Sequence, residues 1–123
     1  MTSSATEVRV FFRSVADGEV VQEGVFDGRL VLRDGRSMLS FDGNRVLIDR
    51  ERVVIFRDYR LELQNGFRHE LMMPTPYGTI RFEARTRLLS IHPQGKAVYA
   101  VYTLSQGDAD VTTLEIQMKI TEE

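Results

Sequence analysis

Along most of the chain, apolar and polar residues alternate with a period of two. In the run from Val111 to Thr121, Leu114, Ile116, Met118 and Ile120 share one side, while Thr113, Glu115, Gln117 and Lys119 share the other. A strand with this alternation buries one face and wets the other. The same parity marks further inward sets: Val8, Val10 and Phe12; Leu30 and Leu32; Leu39 and Phe41; Val46 and Ile48; Leu61 and Leu63; and Phe67, Leu71 and Met73. No segment repeats apolar residues at i, i+3, i+4 and i+7 over a dozen positions without a Gly or Pro, so no helix is predicted.

Turn signals divide these runs at short intervals: Asp17-Gly18, Asp27-Gly28, Asp34-Gly35, Asp42-Gly43-Asn44, Asn65-Gly66, Pro74 to Gly78, His92 to Gly95 and Gly107-Asp108. Asp-Gly and Asn-Gly tolerate the positive φ that tight hairpins require. The spacing predicts strands near Val8 to Val15, Glu19 to Phe26, Arg29 to Leu32, Ser37 to Phe41 and Arg45 to Ile48. It continues with Val53 to Gln64, kinked near Asp58, then Phe67 to Met73, Thr79 to Ser90, Ala97 to Leu104 and Val111 to Thr121. One-sided burial on so many consecutive strands favours a sheet closed on itself, because closure removes exposed edges. The expectation is an all-β antiparallel meander forming a barrel of about eight to ten strands. Residues 1–123 form a single domain in this reading, with residues 1–6 and 122–123 as loose ends.

Parity also places polar residues inside. In Thr79 to Ser90, Ile80, Phe82, Ala84, Thr86 and Leu88 share one side, and Arg81, Glu83, Arg85 and Arg87 the other. Arg57 shares parity with Val53 and Ile55, His69 with Phe67 and Leu71, and Tyr102 with Val98 and Leu104. A bulge near Asp58 would send Arg57 outward instead.

Composition removes several function classes. The chain has no cysteine, which excludes disulfides and thiolate-bound metals. Its formal net charge of −2 recruits neither nucleic acid nor acidic lipid. Most arginines alternate with aliphatic residues on strands, where carboxylates on neighbouring strands can pair with them. The two histidines, His69 and His92, lack any metal-ligand spacing, and no Gly-x-Ser-x-Gly elbow or phosphate-cradling glycine run is present. Nearly all the carboxylates fall at turns or on wet faces, so no enzymatic activity and no cofactor is expected. With no basic n-region ahead of an apolar run and no spanning segment, a soluble cytoplasmic protein is the default expectation.

Thr75-Pro76-Tyr77-Gly78, then Thr86, then Tyr102 in the Ala-Val-Tyr-Ala-Val-Tyr strand, together with Arg57 after Val53-Val54-Ile55-Phe56, resemble the YwiB-like family of uncharacterised bacterial proteins. The resemblance implies a calycin-like barrel, related in architecture to lipocalins and fatty-acid carriers, and implies no activity. In such a barrel an inward arginine and tyrosine would resemble the carboxylate clamp of fatty-acid carriers, because a guanidinium matches a carboxylate as a bidentate fork. The site expected on this basis is Arg57, His69, Thr86 and Tyr102 around the polar head of a small, partly apolar ligand. Phe82, Leu88, Leu71 and Met73 would line its apolar portion. The plainer alternative is a filled barrel in which these polar groups satisfy one another. A different function class, homodimerisation or protein binding by a solid barrel, would use Val21, Val25 and Tyr99, which lie on faces the core does not need.

Overall fold

A computed structural model describes residues 4–92, 96–107 and 111–122. These residues form ten strands and no helix: β1 (Ser4–Ala16), β2 (Glu19–Arg33), β3 (Arg36–Phe41), β4 (Asn44–Ile48), β5 (Val53–Phe56), β6 (Arg60–Leu63), β7 (Arg68–Thr75), β8 (Gly78–Ile91), β9 (Ala97–Ser105) and β10 (Val111–Glu122). They make one antiparallel sheet in the order β6-β5-β4-β3-β2-β1-β10-β9-β8-β7. Every strand lies beside its chain neighbour, and the β1–β10 pairing bends the meander into a nearly closed barrel. Among the described residues, no helix is long and apolar enough to cross a membrane.

Hairpin chemistry fixes the register. Asp17-Gly18, Asp34-Gly35 and Asp42-Gly43 all place both central residues at positive φ, between 46° and 85°. That geometry matches the right-handed twist of the flanking strands. Thr75 holds the β7–β8 turn: its hydroxyl donates to the Gly78 carbonyl at 2.6 Å and accepts from the Tyr77 amide at 3.2 Å.

The core fills the middle of the barrel. Val8, Val10, Leu39, Val46, Leu61, Leu63, Leu71 and Met118 are at most 2% exposed. Burial of this kind stabilises by about 1.5 to 3 kcal/mol per large aliphatic side chain. Outside, Arg13 and Glu23 face each other on β1 and β2 at 3.2 Å, and Arg81 reaches Glu70 at 3.0 Å. These exposed pairs do little more than neutralise neighbouring charge.

Four expectations change. The Asp27-Gly28 pair makes no turn, and the two short strands expected around it are the single β2. A Cβ at Gly28 would sit 3.0 Å from both the Ser40 carbonyl oxygen and Val10 Cγ2. Glycine is used here for close approach of strands, not for reversal. The expected strand from Val53 to Gln64 is instead a hairpin, β5 and β6, whose tight connection is closed by the Arg57 amide donating to the Tyr59 carbonyl at 2.8 Å. The termini are not loose where they are described, since β1 begins at Ser4 and β10 runs to Glu122; residues 1–3 and 123 lie outside the described residues. Finally, Leu88 points outward and is 45% exposed, whereas Leu89 is buried at 7%. A bulge between Thr86 and Leu88 inserts Arg87 and reverses the parity of everything after it.

Gly28→Ala is expected to destabilise the fold by about 1 to 3 kcal/mol through overpacking against β1 and β3. A Gly35→Ala control tests the different, conformational cost at positive φ, with open space around its Cβ. Chemical denaturation of both variants checks the comparison.

Candidate functional site

Closing the meander leaves one gap in the ladder, between the edge strands β6 and β7. Side chains bridge it. The Glu62 amide donates to His69 Nε2 at 3.1 Å, which assigns the ring proton to Nδ1, 3.1 Å from the Glu70 carbonyl. The Gln64 amide donates to the Thr86 hydroxyl at 3.2 Å. The Thr86 amide donates to the Phe67 carbonyl at 2.9 Å, and its own carbonyl accepts from Gly66 at 3.2 Å. Next along β8, the Asn65 carboxamide imitates a backbone: its oxygen accepts from the Leu89 amide at 2.7 Å and its nitrogen donates to the Leu89 carbonyl at 3.1 Å.

His69 and Thr86 are therefore parts of the seam. Phe67 stacks on the His69 ring with centroids 5.7 Å apart, adding area to the same closure. Neither residue borders the cavity that holds the other two expected site residues. Asn65, read from sequence only as half of a turn, has no signal that foretells its role, because its partner is twenty-four residues away.

Arg57 and Tyr102 do come together. A cavity of about 150 Å³ lies inside the barrel end capped by the β1–β2, β3–β4 and β5–β6 connections. Phe12, Phe41, Val46, Ile55, Leu61 and Ile116 supply its apolar wall. Phe12 and Phe26 both lean on Phe41, with ring centroids 5.6 and 5.8 Å away. Ser14, Gln22, Asn44, Arg57, Tyr59 and Tyr102 supply the polar part. Asn44 is held by its amide, which donates to the carbonyls of Phe41 and Asp42 at 3.2 Å each, and Gln22 donates to the Asp42 carboxylate at 3.4 Å.

Tyr102 is the most constrained of the polar set. It is 4% exposed, and its hydroxyl makes no hydrogen bond to any described residue. Burial raises its pKa far above the ordinary tyrosine value; nearby Tyr59 adds to the rise, and the positive charge of Arg57 opposes it. Arg57 itself is solvent-exposed at the cavity rim, just past the end of β5, and makes no ion pair among the described residues. Tyr59, which the sequence reading passed over, joins them because the β5–β6 connection folds it back beside Arg57.

The apolar lining expected for this site lies elsewhere. Leu71 is buried in the general core, Met73 and Phe82 pack on that core, Leu88 faces solvent, and none of them borders this cavity. Val21, Val25 and Tyr99 are exposed, at 67%, 61% and 37%. Val25 pairs with Phe11 and Tyr99 with Gln117, so Arg13 and Lys119 on the intervening strands separate them. Among the described residues, no cluster of three His, Asp or Glu residues could hold a metal ion.

The chain is similar in fold to the YwiB protein of Bacillus subtilis. The crystal structure of YwiB superposes with a TM-score of 0.68 over 94% of this chain and 92% of that one, at 13% sequence identity. At this identity the likeness concerns the fold alone. No family model matches the sequence, and no curated protein matches it at a significant level.

The seam and the cavity predict opposite responses to deletion of one hydroxyl. Thr86→Val leaves the Gln64 amide without its acceptor and is expected to destabilise by about 1 to 3 kcal/mol. Tyr102→Phe removes a hydroxyl that has no partner and is expected to be neutral or stabilising. Because folding raises the Tyr102 pKa, the neutral phenol's contribution is complete below the unfolded value of about 10 and is lost as pH climbs beyond it. Wild type should therefore lose stability relative to Tyr102→Phe above pH ~10, at about 1.4 kcal/mol per pH unit. Denaturant midpoints of the two proteins measured across that range check the sign.

Proposed function

We infer that the protein is a non-enzymatic binding barrel, whose cavity beside Arg57, Tyr59 and Tyr102 holds a small carboxylate on a short apolar body. The observation that carries this reading is the Tyr102 hydroxyl, which belongs to a side chain only 4% exposed, makes no hydrogen bond to any described residue and opens into the cavity. A ligand acceptor there engages a donor that the fold leaves uncommitted, for a net gain of about 0.5 to 1.5 kcal/mol. Arg57 supplies the counter-charge. Its uncommitted guanidinium at the rim suits a carboxylate entering from solvent, with Tyr102 donating a second hydrogen bond from inside. A tyrosine phenol is protonated, and hence a donor, at physiological pH, and burial of Tyr102 moves its titration further from that range.

Size narrows the ligand. A space of about 150 Å³ matches a benzene-sized molecule and is too small for a long acyl chain. Benzoate and hexanoate are suitable probes. Self-association through Val21, Val25 and Tyr99 has less support, because charged residues break that surface.

Benzoate is expected to shift the ring resonances of Tyr59 and Tyr102 in a saturable manner. Arg57→Gln and Tyr102→Phe should each weaken binding by about tenfold, the effect of one charge-assisted or well-placed hydrogen bond. Benzamide, which lacks the charge, should lose affinity on wild type but differ little between wild type and Arg57→Gln. Absence of any saturable shift with both benzoate and hexanoate at millimolar concentration overturns the reading.

A further inference from the structure

The opposite end of the barrel, where the termini and the β2–β3 and β4–β5 turns lie, contains a separate and larger cavity of about 530 Å³. That volume falls within the range typical of small-molecule sites. Its floor is Leu30 and Ile48, both buried, with half-buried Ile91 beside them and Leu32, 46% exposed, at the mouth. Ser37 also borders it. This serine is 7% exposed, yet its hydroxyl makes no hydrogen bond to any described residue. Among the described residues, no buried side-chain polar atom is sealed away from both partner and space, so the Ser37 oxygen opens into the cavity.

The rim has a definite charge. Arg36 pairs with Asp49 at 3.6 Å and Lys96 with Glu122 at 3.4 Å. Arg50 borders the same cavity and has no ion pair among the described residues, because the Asp49 carboxylate is turned to Arg36 and to the Arg50 backbone amide at 2.9 Å. One uncompensated guanidinium thus stands over an apolar floor that contains one unpartnered hydroxyl. An apolar lining with a few convergent polar groups is the usual chemistry of a binding pocket.

We propose that this end is a second ligand site, for an amphiphile bearing one acidic group on an acyl or aryl body too large for the Arg57 cavity. The apolar body rests on Leu30, Ile48 and Ile91 with Leu32 covering it. The acidic head meets Arg50, and Ser37 donates to a polar atom deeper in the ligand. The two cavities share no lining residue, and the fully buried Leu39 and Met118 border neither, so this site stands whether or not the Arg57 cavity binds anything.

The anionic dye 8-anilinonaphthalene-1-sulfonate, displaced by decanoate, tests the proposal on the whole chain. Wild type should show saturable fluorescence that decanoate reverses and that weakens as salt screens the head group. Leu32→Trp fills the mouth from an exposed position and should weaken binding by about tenfold or more. Arg50→Glu should weaken it by about three- to tenfold and flatten the salt dependence. Tyr102→Phe should leave it unchanged. Methyl resonances provide a readout on wild type that needs no variant: decanoate should move Leu30, Ile48 and Ile91 and leave Ile55 and Leu61 in place. No saturable binding, or binding indifferent to both Leu32→Trp and Arg50→Glu, overturns the proposal. So does a decanoate response centred on Ile55 and Leu61.

Discussion

A meander becomes a barrel only if its two edges meet, and here they meet without a ladder. Strand β6 has four residues and β7 has eight, and a single amide-to-imidazole hydrogen bond from Glu62 to His69 joins their facing edges. The rest of the closure is borne by β8, which runs past the end of β7 and receives the β6–β7 connection through Thr86 and Asn65. An unpaired edge exposes donors and acceptors to other chains, and one sealed into a core would strand them. Polar side chains at this seam satisfy those groups where strand geometry cannot. The bulge at Arg87 belongs to the same solution, since it lets Thr86 serve the β6–β7 connection while Leu89 returns to the core.

This constraint separates polar residues that look alike in sequence. His69, Thr86 and Tyr102 all sit at inward parity, and all carry groups that need a partner once buried. His69 and Thr86 find theirs in backbone amides of the seam, so their chemistry is spent on closure. Tyr102 pairs with Thr86 in register, yet its phenol extends toward the capped end, away from the seam, and meets no acceptor. A polar network satisfying all the inward groups, which small filled barrels often have, accounts for two of these residues and leaves the third unexplained. The unexplained residue is the one beside a cavity and a free guanidinium.

How far the sequence speaks follows from which physical signals are local. Asp17-Gly18, Asp34-Gly35 and Asp42-Gly43 announce their turns because positive φ is a property of the residues themselves. The alternation of β10 announces its buried face for the same reason. Gly28 misleads, because an Asp-Gly pair tolerates a turn without requiring one; what selects glycine there is contact with β1 and β3, which no local window contains. Leu88 misleads through the bulge: Arg87 carries no mark of being an extra residue, and its insertion is set by what β9 and the seam require. Arg57 and Tyr102 were legible as a pair by type and parity, whereas Tyr59 entered only with the β5–β6 turn, and the loss of His69 to the seam depended on knowing which strands form the edges.

The packed core bears on where this barrel has room for a ligand. A single wide interior would need the core side chains to be small or withdrawn; instead Leu39, Leu61, Leu63 and Met118 are at most 2% exposed within one core cluster, and truncation would forfeit about 2 to 5 kcal/mol for each leucine. The Arg57 cavity and the Arg50 cavity each lie toward the strand connections, one at each end. The rims are also where the lining can vary without disturbing the core: Arg57 and Tyr59 sit on a connection, and Leu32 and Arg50 flank turns. Rim residues such as Arg57, Leu32 and Arg50 are exposed and can change at little cost to the fold, whereas wall residues such as Tyr102, Leu30 and Ile48 belong to the core and cannot be truncated so cheaply.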